Sequence, residues 1–193
     1  HLRWAGHLYR RAAFGAGWNE LQQAVKDGPQ RSIDRLLRPD GDVTAFNETY
    51  DNYAASATDS DSTDTLRAWW LRRMIETPHP LLEKMTLFWH HHFGMSNVRV
   101  KNAFLMHQHL KLLRRHALGS FEPLLEGVSS DPAVLIALDS TEHRKVRPNE
   151  DYARDFLQNF GLGAGQFAES DVRETARAFT GWFVYATRFR YIE

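Results

Sequence analysis

Apolar residues return at every third or fourth position through segment after segment of this chain, and Gly, Pro or a capping polar residue stands at the junctions. That period of 3.6 is the signature of amphipathic helices. Leu2, Ala5, Leu8, Tyr9 and Ala12 lie on one helical face, and Gly15 and Gly17 end the pattern. "WNELQQAVKDG" and "PQRSIDRLLRP" predict two short helices, with Pro29 in a first turn and Pro39 as a stop. Asp64 is placed to cap "TLRAWWLRRMIET", Pro80 to start "LLEKMTLFWHHHF" and Gly94 to close it. "VKNAFLMHQHLKLLRRHAL" ends at Gly119, and Ser120 opens "SFEPLLEGV". Asp131-Pro132 caps "AVLIAL", Asn149 caps "EDYARDFLQNF", and Asp171 with Glu174 reads as a capping box before "VRETARAFTGW". No segment sustains the period-two alternation of a strand with hairpin turns. The expected fold is all-α, an irregular bundle of eight or nine helices forming one domain over residues 1–193.

Residues 40–64 break the pattern. They hold seven acids (Asp40, Asp42, Glu48, Asp51, Asp59, Asp61 and Asp64), no Lys or Arg, and many Ser, Thr and Asn. The acids lack calcium-loop spacing, so this stretch is expected to be an acidic, mobile loop. Over the whole chain, 24 Lys and Arg balance 24 Asp and Glu, so no net field draws in nucleic acid or an anionic membrane. The basic stretches "KLLRRH" and "RKVR" have no interleaved aromatics, and no nucleic-acid partner is expected. With no cysteine, disulfides, thiolate metal sites and a cysteine nucleophile are excluded. No run approaches the ~20 apolar residues of a transmembrane segment. The chain opens inside an apparent helix and closes on "RFRYIE" without a stop signal, which reads as an excerpt of a longer protein.

Chemistry is densest in "EKMTLFWHHHFG". On a helix Glu83 and His90 fall about 20° apart, two turns from each other, so both could face one ion. His92 falls with Met85 and Phe88 on the face read as buried, and His91 points between. Glu83, His90 and His92 are therefore candidate ligands for a divalent zinc, iron or manganese ion. Histidines in a last helical turn also interact favourably with its free carbonyls, which leaves packing or capping as the other reading. In "RPNEDYARD", Glu150 and Arg154 stand four apart as an ion pair or as candidate catalytic groups, Arg154 stabilising an anion. Arg10 with Arg11, and Arg173 with Arg177, suit either anion binding or salt bridges, the latter to Glu150, Asp155 or Glu174. Of His107 and His109, which cannot share a helix face, His107 is the better candidate for burial.

Five blocks together resemble the bacterial family named domain of unknown function 1800. They are "HLYRRAAFG", "EKMTLFWHHHFG", "DPAVLIALD", "RPNEDYARDFLQNFGLG" and "DVRETARAFTGW", in family order across most of the chain. The family reads Trp-His-Asn-His where this chain has Trp89, His90, His91 and His92, so position 91 departs from it. Its Asn-Glu-x-x-Ala-Arg-Glu matches Asn149, Glu150, Ala153 and Arg154, with Asp155 in place of the last Glu. The resemblance implies an N-terminal part of a protein more than twice this length, secreted, periplasmic or otherwise envelope-associated. It also implies a partner, a secreted sulfatase- or phosphatase-like protein of a neighbouring uncharacterised family.

Three expectations follow. The helices over 79–93, 149–160 and 171–182 pack together. Glu83, His90, Glu150 and Arg154 meet in one buried polar cluster. The function is either a non-catalytic scaffold or partner-binding domain, the preferred reading, or a metal-assisted hydrolase or oxidoreductase.

Overall fold

A computed structural model describes residues 1–38 and 42–192. Pro39, expected to stop the second short helix, and Asp40 of the acidic segment lie outside the described residues. The chain is predominantly helical, as its periodicity predicts, and divides into two compact units, residues 1–88 and 89–193.

The first unit opens with α1 (Leu2–Ala12) and α2 (Trp18–Leu37). α2 is two helical runs joined at Gly28, whose φ of 82° breaks the spiral directly before Pro29. Proline has no N–H to give a preceding turn, so the sequence itself imposes this kink. Ala5 and Tyr9 of α1 pack on Ala24 and Leu36 of α2, with Ala13 completing the buried set and Leu81 against it.

The acidic segment is the main departure from expectation. Thr44–Asp59 forms α3, a regular helix of 16 residues, and Thr63–Glu76 forms α4. Tyr50, Ala54 and Ala57 repeat at helical spacing and are buried against α4, where Leu66 and Trp69 lie. The polar composition conceals this apolar stripe, and burying it against a neighbour is what makes the helix stable. Trp69 ties the pair by donating Nε1–H to the carbonyl of Tyr50 at 2.6 Å. The cap of α4 is Ser62, whose hydroxyl accepts from the amide of Thr65, and Asp64 sits inside the first turn instead.

Pro80 starts α5 (Pro80–His92), and Gly94 follows it with a φ of 62°. Residues 80–88 of this helix belong to the first unit and 89–92 to the second. The second unit continues with α6 (Asn97–Val100), α7 (Ala103–His116), α8 (Phe121–Ser129) and α9 (Pro132–Ala137). α7 packs on α8 and α9 through a core that includes Leu105, Leu110, Leu113, Leu124, Val128, Val134 and Leu135. Asn102 and Asp131 cap α7 and α9 with their side-chain oxygens.

α10 (Glu150–Asp155), capped by Asn149 as predicted, runs into a π-helical turn over Phe156–Gly161. It packs on α11 (Glu169–Ala178) through Ala153, Val172 and Ala176. Asp171 caps from a different place than expected: it is the third residue of α11 and accepts from the amide of Ala168, the N-cap residue, at 2.8 Å, while Glu174 pairs with Arg177. Of the expected three-helix packing, the second unit shows α10 on α11, with Phe93, just past α5, edge-on to Phe160 at 5.3 Å.

The chain ends in a hairpin that the absence of strand alternation did not predict, Trp182–Tyr185 (β1) pairing antiparallel with Arg188–Tyr191 (β2). Its two-residue loop is Ala186-Thr187, with φ of 45° and 65°, the signs of a primed turn but without the Gly or Asn that usually announces one. Gly181 closes the base of the hairpin at φ 90°, where a Cβ would lie 2.6 Å from the carbonyl oxygen of Ile192.

Candidate functional site

The buried face of α5 is polar. Glu83 and Thr86 are fully buried, and His90, one further turn along the same stripe, is half-buried. His91 and His92 are exposed, as is Phe88 at 52%, so the face expected to be buried is the one at the surface. His92 lies edge-on to Trp89 and Phe93, with ring centroids 5.6 and 4.9 Å away.

In the first unit Glu83 is held in a closed polar knot. Its Oε1 accepts from Arg73 Nε at 2.7 Å and its Oε2 from Trp70 Nε1 at 3.2 Å. Arg73, 4% exposed, also donates Nη2–H to Asn47 Oδ1 at 2.6 Å. Its guanidinium lies over the rings of Phe46 and Tyr50, 5.0 and 5.5 Å from their centroids. Tyr50 donates in turn to Glu76, and burial beside that carboxylate pushes its phenol up to about 12. Arg73 is the residue the sequence reading missed. Its signal was a charge four positions from Trp69 in "WWLRRM", on the apolar stripe of its helix.

In the second unit the ring of His90 faces that of His109, with centroids 5.8 Å apart. Burial, with His109 and His91 nearby, lowers His90 to about 4, so it is a neutral imidazole at physiological pH. His109 is more buried than His107, at 0% against 7% exposed, which reverses the expected order. Its Nδ1 lies 2.7 Å from Asp131 Oδ2. The other oxygen of Asp131 accepts from the amide of Ala133 at 2.9 Å, so one carboxylate both caps α9 and orients a histidine. His109 and Asp131 stand 22 positions apart, and no local spacing signals their meeting.

Glu150 and Arg154 are elsewhere, at the surface. Arg154 makes a bidentate contact with Glu169, both bonds 2.7 Å, with the side chains 40% and 65% exposed. This pairing raises Arg154 and lowers Glu169 from their ordinary values. The expected single buried cluster of Glu83, His90, Glu150 and Arg154 is therefore not formed. The first turn of α10 presents its acids to water, as favours a helix N-terminus, and Arg154 reaches along the surface to the first turn of α11. Among the described residues no three His, Asp or Glu side chains are grouped so as to hold a metal ion.

One cleft of about 770 Å³ in the second unit takes in His92, Arg99, Asp155 and Asn159 between the apolar walls of Phe93 and Phe160. Arg99 donates to the carbonyl of Ala137 at its edge, 3.0 Å away. Elsewhere in this unit His143 is fully buried, its Nε2 3.1 Å from the carbonyl of Ser140 and its ring edge-on to Tyr152. Burial holds His143 below the ordinary histidine value.

A family model described as Protein of unknown function (DUF1800) matches residues 7–192, nearly the whole chain. The chain belongs to the DUF1800 family. That match spans every block that suggested the resemblance, and both the Glu83 knot and the His90–His109–Asp131 group lie within the span of the DUF1800 match. No curated protein and no solved structure matches the chain.

Proposed function

We propose that this chain is a non-catalytic, partner-binding helical domain of a bacterial protein exported to the cell envelope. The observation that carries this reading is the closed knot at Glu83. The most buried acid of the candidate set bonds to Arg73 and Trp70 rather than facing a cleft, as expected of a device that fixes helix register. Glu150 and Arg154, open to solvent, are engaged in helix-end electrostatics and a surface ion pair. The resemblance of the motif blocks supports export, and supports as partner a secreted sulfatase- or phosphatase-like protein.

Mixing the purified full-length protein with that neighbouring protein and measuring mass by light scattering tests the reading directly. A stoichiometric complex is expected, and no complex at micromolar concentrations overturns the proposal.

A second reading, a metal-assisted hydrolase or oxidoreductase, draws on the cleft that brings His92 and Asp155 to one opening. Turnover of phosphate or sulfate esters by the full-length protein, abolished by His92→Ala and Asp155→Asn, would establish it instead.

A further inference from the structure

His109 poses a question that packing does not answer. With Asp131 accepting at Nδ1, the neutral tautomer of the ring carries its lone pair on Nε2. That nitrogen is buried and has no hydrogen-bond partner among the described residues. A buried polar atom without a partner is rare and calls for an explanation such as a water or an ion.

Two features point to an ion. A carboxylate on the far nitrogen is the arrangement that orients metal-bound histidines, fixing the tautomer and raising the basicity of the ligating nitrogen. The second imidazole, His90, stands across from it with 5.8 Å between ring centroids. Two imidazoles sharing an ion at ~2.0–2.1 Å from each donor nitrogen place their centroids roughly 5–6.5 Å apart, so this separation already suits a shared ligand.

We propose that His90 and His109, with Asp131 orienting His109, bind a late first-row transition-metal ion that clasps the end of α5 to α7 and the α8–α9 turn. Nitrogen donors of this kind suit zinc, copper and nickel, and the remaining coordination positions fall to water or an exogenous ligand. The clasp is distinct from the set Glu83, His90 and His92 that helical spacing suggested, since it exchanges two same-helix neighbours for one histidine from α7.

Zn(II) titrated into chelator-treated full-length protein against a chromophoric competitor provides the test, read together with the thermal midpoint. One zinc per chain is expected, with a higher midpoint on binding. His90→Gln and His109→Gln should each abolish both effects, while a His91→Gln, His92→Gln double variant should keep them. Asp131→Asn is the decisive variant, because asparagine still caps α9. Whatever its metal-free midpoint, it should weaken zinc ~10–100-fold and shrink the zinc-induced rise of that midpoint. Binding that survives His109→Gln, or that disappears with His91 and His92, would be surface-histidine binding only and overturns the proposal. So does an Asp131→Asn protein with unchanged zinc affinity, even if His109→Gln fails to fold.

Discussion

Arg73 and Glu83 are 4% and 0% exposed, so each depends on the other for its charge. Removing one partner of a buried pair strands the remaining charge, at a cost of about 3–5 kcal/mol, whereas replacing both by apolar groups of similar volume is often neutral. Glu83→Ala is therefore expected to lower the urea-unfolding stability by several kcal/mol, and Arg73→Met with Glu83→Leu to recover most of that loss. Additive losses in the double variant would mean that packing around the two chains, rather than their pairing, holds this part of the fold. His143 gives a second prediction with a defined sign. Its folded value lies below the unfolded one, so between the two the unfolded chain binds more protons, and stability falls as pH drops below about 6.5. Above that pH the contribution is fully present, and once pH is below the folded value no further loss comes from this group. His143→Phe keeps an aromatic ring beside Tyr152 and should flatten the acid limb of a stability–pH curve by at most one proton's slope, ~1.4 kcal/mol per pH unit. An unchanged acid limb would assign the acid sensitivity to other groups.

Among the elements, those with both a period and punctuation were legible in the sequence. α5, α8, α9 and α10 begin at the residues that their signals indicate, and in α9 and α10 the side chains of Asp131 and Asn149 satisfy orphan amides, those of Ala133 and Tyr152. α3 was obscured because acid count was weighed above the spacing of Tyr50, Ala54 and Ala57, and it is burial of that stripe that decides. The hairpin was obscured for a different reason. Its strands are four residues each and its turn is Ala-Thr, a pair with no left-handed preference, so register comes from pairing rather than from turn chemistry. A β-branched residue at φ 65° carries strain that Asn-Gly would relieve. Replacing Ala186-Thr187 by Asn-Gly is expected to stabilise the hairpin by roughly 1–2 kcal/mol, the scale of the left-handed penalty for one residue. Amide hydrogen exchange at Phe183 and Arg190, a facing pair, should slow accordingly. Faster or unchanged exchange would show that the turn does not limit opening of these strands.

At the scale of the whole chain, the groups that meet are far apart in sequence. Asn47 and Arg73 are separated by 26 positions, His109 and Asp131 by 22. Spacing within one helix can place Glu83 and His90 on one stripe, which it did, but it cannot say which distant side chain each will find. The charge balance, in contrast, is wholly a property of the sequence. Equal numbers of acidic and basic residues give a net charge of +0 and an isoelectric point near 7.3. Near that pH, molecules lack the mutual repulsion that keeps a charged protein dispersed. Apolar side chains are also presented to solvent, among them Val98 at 74% and Val146 at 92% exposed. Short-range attraction should then prevail, and self-association of this chain, followed by the light-scattering second virial coefficient, is expected to be strongest close to pH 7.3. It should weaken at pH 5.5 and at pH 9, where net charge of one sign is restored. Moderate salt screens that restored charge, so at the two outer values it should bring association back towards its level at neutrality. A virial coefficient that ignores pH would instead assign the attraction to the apolar surface alone, and substitution of Val98 and Val146 by polar residues, not a change of buffer, would then be what disperses the protein.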